Sequence, residues 1–150
     1  MKPTMTDILT GAATIYGEAR GCTQAGRDAV AHTILNRCRA SAWWGIAPGY
    51  TEHSISAVCR KPWQFSCWND NDPNAPILAG ILASPPAHDP VWRSCLRAML
   101  DAIDGITEDE TNGATHYLTV ALHKSVGAPP WSKRNDYVQI GAHRFFAGVK

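Results

Sequence analysis

Residues 4–39 run TMTDILTGAATIYGEARGCTQAGRDAVAHTILNRCR, and two consecutive helices can be read from them. Ile8, Leu9, Ala12, Ile15, Tyr16 and Ala19 recur at the three-to-four spacing of one helical face. A helix is therefore expected from Thr4 or Thr6 to Arg20, with Gly21 as its C′ stop. A second is expected at once, with Thr23 as N-cap and Arg39 near its end. Its stripe is Ala29, Val30, Ile34 and Cys38, with Leu35 beside it.

Working outward, the clearest helix follows Asp89, a good N-cap, and Pro90, which suits the first helical position. Val91, Trp92, Cys95, Leu96, Met99, Leu100 and Ile103 make one apolar face, and Gly105 ends it. The stretch from Ala40 to Pro90 is irregular and holds four of the six Trp. Short helices are expected near Ser54–Arg60 and Ala75–Ala83. Lys61–Asn74 reads as a loop, with Asn69-Asp70-Asn71-Asp72-Pro73 a strong turn signal. Ala114–Thr119 and Tyr137–Phe145 look extended, separated by a loop around Pro129-Pro130-Trp131. The expected class is α+β, mostly α, with one domain over residues 1–150 and no separate module.

Composition narrows the function. A net charge of +1 argues against nucleic acid, whose binders carry a strongly basic face. No apolar run approaches the ~20 residues of a membrane span, so stable membrane insertion is not expected. Near the N-terminus, Asp7, Thr10 and Gly11 interrupt the apolar run after Lys2. No signal peptide is read, which implies a chain made and folded in the cytoplasm. Five Cys without a C-x-x-C pair exclude a complete disulfide framework and disfavour a zinc knuckle. Reduced thiols, several of them buried, are expected.

Four constellations carry chemistry. In Tyr16-Gly17-Glu18-Ala19-Arg20-Gly21, Glu18 falls in the last helical turn, where the helix dipole is negative and raises a carboxyl pKa. A glycosidase general acid needs that raised value; a solvated Glu paired with Arg20 or Arg27 is the alternative. In Trp63-Gln64-Phe65-Ser66-Cys67-Trp68-Asn69-Asp70, aromatic and amide groups interleave as sugar clefts require. Those aromatics could equally pin the loop to the core. Ser66-Cys67-Trp68 faintly echoes papain-like proteases, but the turn-rich sequence after it cannot sustain the helix a Cys nucleophile needs. The six His show no metal-ligand spacing, so no metal or cofactor is expected. Thr115-His116-Tyr117 and Trp131 form the last group. Tyr117 is either a cleft residue or a core-edge one, while His143 and Arg144 read as scaffold.

Residues 14–21, 29–37 and 64–70, with Ala114–Tyr117 and Ile140–Phe145, together resemble the cell wall hydrolase family of the spore-cortex-lytic type, that of SleB and CwlJ. The resemblance implies a lysozyme-like, lytic-transglycosylase-like fold. It also implies a substrate, the N-acetylmuramic acid–N-acetylglucosamine strand of peptidoglycan, and a monomer acting without a cofactor. The family's catalytic Glu falls on Glu18. Tyr117 matches a cleft position of the family, where it would orient the acid or the scissile oxygen, and Gln64, Phe65, Ser66, Trp68 and Trp131 are the other expected substrate-binding residues. The spore enzymes carry a secretion signal and often a wall-binding module. Their absence here looks like a phage or prophage endolysin released through a holin pore.

Most glycosidases use two carboxylates. Only Glu18 has a matched position, with Asp70, Asp72 and Glu52 as other acids of unknown geometry. One acid suffices if the muramic 6-hydroxyl attacks its own C1, leaving a 1,6-anhydro end. A hydrolase at the same bond and an N-acetylmuramoyl-L-alanine amidase are the alternatives.

Overall fold

The computed structural model describes residues 2–40, 42, 49 and 53–150; Glu52 lies outside them. The described elements are α1 (Met5–Ala19), α2 (Gln24–Ala40), α3 (Ile55–Arg60), α4 (Asn74–Ala83), α5 (Pro90–Ile103), β1 (His116–Thr119), α6 (Val120–His123), β2 (Val138–Ile140) and β3 (His143–Phe146). Two 3-10 turns, Ser66–Trp68 and Pro130–Ser132, complete the set. Among the described residues no helix is long and apolar enough to cross a membrane.

Helix α1 is the axis of the helical part and packs against α2, α3, α4 and α5. Its sequence permits this because small residues dominate its buried surface: Gly11, Ala12, Ala13 and Ala19 accompany Ile15. At Gly11 the α5 helix comes so close that a Cβ would stand 2.4 Å from Met99 Sδ. The start of α1 is a capping box. Thr4 Oγ accepts from Asp7 N–H, and the Asp7 carboxylate accepts from Thr4 N–H. Asp7 also accepts from Ser56 N–H and Ser56 Oγ–H at 3.0 and 2.7 Å, tying α1 to α3. Helix α5 begins as expected, with Asp89 accepting from Val91 and Trp92 N–H.

The three strands form one antiparallel sheet in the order β1-β3-β2. The extended run expected over Tyr137–Phe145 is a hairpin, with Gly141 at φ 57° turning β2 into β3. Inside the expected Lys61–Asn74 loop lies the 3-10 turn Ser66–Trp68, and α6 follows β1 directly. Such short elements leave no periodicity to read.

Candidate active site

A cavity of about 460 Å³ opens where the end of α1, the 66–68 turn, β1 and the Pro129–Trp131 segment meet. Glu18, Gln64, Ser66, Tyr117 and Trp131 all line it, so five of the expected site residues come together. Two do not. Phe65 is 1% exposed; it lies beneath Tyr117, with the Arg37 guanidinium 4.5 Å from its ring centre, and it builds the floor without reaching a ligand. Trp68 gives its indole N–H to Thr14 Oγ at 2.9 Å and lines a neighbouring trough. Gln64 and Ser66, which flank Phe65, face the cavity because the backbone at Phe65 is extended, with φ −123° and ψ 106°, and turns successive side chains to opposite sides.

Glu18 owes its setting to Gly17. A Cβ at Gly17 would lie 2.7 Å from Cys67 Cβ, so only glycine lets the 66–68 turn close on α1. That closure brings Cys67 N–H to 3.4 Å from Glu18 Oε1. The residue is half-buried but its carboxyl group is enclosed, and burial pushes its pKa up. The Cys67 thiol and N–H, the Tyr117 hydroxyl and the more remote Arg37 charge oppose the rise without cancelling it. The raised pKa expected from the helix end is therefore present, but its largest cause is burial. Neither Arg20 nor Arg27 serves as a partner. Arg27 donates to the Arg20 carbonyl at 2.8 Å, and Arg20 lies over the Tyr16 ring.

Tyr117 stands opposite. Its hydroxyl is sealed from solvent and lies close enough to Glu18 for the two groups to interact. Burial and the neighbouring Glu18 carboxylate raise its pKa well above the usual phenol value, so it remains a hydroxyl. Arg37, His116 and Trp63 also line the cavity, although none was named among the substrate-binding residues. Arg37 is 3% exposed and donates through Nε to the Thr115 carbonyl. Burial, then the Arg37 charge, pushes His116 down to about 4, so the ring is neutral at neutral pH; it packs edge-on against Trp131. Trp63 and His116 stood inside constellations read as carrying chemistry, and the only hint of Arg37 was its place inside the matching segment 29–37.

The other sequence candidates lie elsewhere. Asp70 lines the neighbouring trough, and the Asp72 carboxylate accepts from Asn74 N–H at 2.8 Å as a turn cap. Burial and the adjacent Glu18 push the Cys67 thiol far up, the reverse of what a nucleophilic thiolate needs. Among the described residues no group of three or more His, Cys, Asp or Glu is placed to hold a metal. His123 and Arg144 are linked, Arg144 donating to His123 Nδ1 at 2.8 Å, and Arg144 also stacks on Tyr137, consistent with a scaffold role.

A helical domain built around one buried axis helix, with a small antiparallel sheet walling a cleft, is a lysozyme-like catalytic domain. The chain belongs to the cell wall hydrolase family, whose model matches residues 21–146. It is 32% identical over 139 residues to a spore cortex-lytic enzyme of Halalkalibacterium halodurans. That alignment covers 93% of this chain and 34% of the relative, so the chain spans about a third of that protein's length. Two solved structures share its fold. One is the catalytic domain of the germination-specific lytic transglycosylase SleB from Bacillus anthracis, with TM-score 0.65, 26% identity, and coverage of 95% of this chain and 94% of that one. The other is the catalytic domain of the Bacillus cereus SleB protein, with TM-score 0.64, 26% identity and coverage of 96% and 91%.

Proposed function

We propose that the chain cleaves the glycan strand of peptidoglycan at the muramic acid–glucosamine bond, with Glu18 acting first as acid and then as base. The observation that carries this reading is that Glu18 is the one acidic side chain among the described residues lining the cleft, and burial shifts it toward its protonated form. The Glu18 proton passes to the glycosidic oxygen as the C1–O bond breaks. The resulting carboxylate then takes the proton of the muramic 6-hydroxyl while that oxygen bonds to C1. Atoms balance without water, and the product is a 1,6-anhydromuramic end. The nucleophile is tethered to the reacting sugar, which gives it a proximity advantage over free water. Tyr117, a neutral hydroxyl beside the acid, orients Glu18 or the scissile oxygen. Gln64, Ser66 and Trp131 offer an amide, a hydroxyl and an aromatic face to the sugars.

Lytic transglycosylase activity is attributed to the B. anthracis relative by name, and the shared fold supports carrying it here. The decisive variant is Glu18→Gln, which keeps the shape and removes the proton. Lysis of purified cell wall should fall by ~10²–10⁴-fold with the thermal midpoint retained. Activity within a few-fold of wild type would remove Glu18 from the role.

A further inference from the structure

The turn Lys61–Gln64 carries an aromatic side chain that folding does not require. Gln64 N–H donates to the Lys61 carbonyl at 3.2 Å, with Pro62 second and Trp63 third in the turn. Trp63 adopts φ 68°, a conformation that turns ordinarily assign to Gly or Asn because a Cβ crowds the neighbouring carbonyl. Its side chain is 76% exposed, so burial does little to offset the strain. Strain and an exposed indole together, where glycine would serve the backbone better, point to a ligand.

Trp63 stands on the ridge between two hollows and lines both. One is the cleft of Glu18. The other is a trough of about 530 Å³ bordered by Arg60, Trp68, Asn69 and Asn71. The trough has a fixed wall, since Thr14 holds the Trp68 indole N–H and the Arg60 guanidinium sits 4.5 Å from the Trp68 ring centre. Flat aromatic surface beside side-chain amides is what the apolar face and acetamido group of an N-acetylhexosamine need.

We propose that Trp63 joins the two hollows into one groove, and that the trough holds a further N-acetylhexosamine unit of the same strand that crosses Glu18. This rests on the glycan-cleaving reading above. The test is calorimetric titration of the full chain bearing Glu18→Gln with N-acetylglucosamine oligomers of increasing length, with and without Trp63→Gly. Affinity should rise with length, and Trp63→Gly should weaken binding by a factor that grows with length to roughly tenfold. The thermal midpoint should hold or rise, because glycine suits a positive φ. Trp63→Phe should retain most of the gain. No loss, or an equal loss at every length, would overturn the groove while leaving the Glu18 chemistry intact. Conversely, wall lysis surviving Glu18→Gln would remove the acid assignment without touching the length dependence.

Discussion

At Gly17 packing and chemistry meet in one residue. An alanine there would place its Cβ 2.7 Å from Cys67 Cβ and 3.0 Å from Leu78 Cδ1. Overpacking of this kind costs about 1–3 kcal/mol. Here the strain would lift the 66–68 turn and carry Cys67 N–H away from Glu18. Gly17→Ala is therefore expected to lower the thermal midpoint and to cut wall lysis by about tenfold or more, since displacement of a catalytic contact by ~1 Å costs up to 10²-fold. Unchanged midpoint and lysis in the same preparation would contradict this. Glu18 itself was legible as an acid out of place at a helix end. The cause of its perturbed acidity was not, because its cover comes from a loop 49 residues away and from Tyr117. Phe65 and Trp68 show the converse. Alternating aromatics and amides reveal a cleft wall, but they do not say which ring faces inward.

Among the elements, α1 was the most legible and is also where local and tertiary bonds share one side chain. Burial would raise the Asp7 pKa, but bonds from Thr4 and Ser56 outweigh it and hold the carboxyl below its ordinary value. A depressed carboxylate stabilises the fold above its unfolded pKa, and that stability is lost as pH falls through the folded value. Asp7→Ala removes the cap and leaves Ser56 unpaired at the α1–α3 contact. It should cost about 2–3 kcal/mol by urea denaturation at neutral pH, and less once pH falls below the folded Asp7 value, which lies under the ordinary 3.8. An equal cost at both pH values would contradict the ionic role. Periodicity and caps placed α1, α2 and α5 because each is long and begins at a side-chain acceptor. The hairpin was misread because Gly141 sits inside a run that otherwise alternates like one strand.

Over the whole molecule, two buried site groups set opposing pH dependences. His116 folds neutral, with a value of about 4 against an ordinary 6.5, so stability is full above 6.5 and declines as pH falls toward 4. Glu18 does the opposite. Its folded value lies above the ordinary 4.5, so the unfolded chain ionises first and stability drops as pH rises from 4.5 through the raised value. Glu18→Gln should therefore be at least as stable as wild type at neutral pH, and less stable only if the burial account is wrong. Wild-type lysis should decline as pH rises through the Glu18 value. The cleft itself was only partly legible, because it is assembled from α1, α2, the 61–66 segment, β1 with α6, the segment around Trp131 and residues 149–150. Sequence spacing carries no signal for side chains that meet from six separate stretches.

If one carboxyl group does the whole reaction, mass spectrometry of the muropeptides released from purified peptidoglycan will show it. Muramic termini lighter by one water than reducing ends are expected, with no such products from Glu18→Gln. Reducing muramic ends throughout, in the wild-type digest, would contradict it.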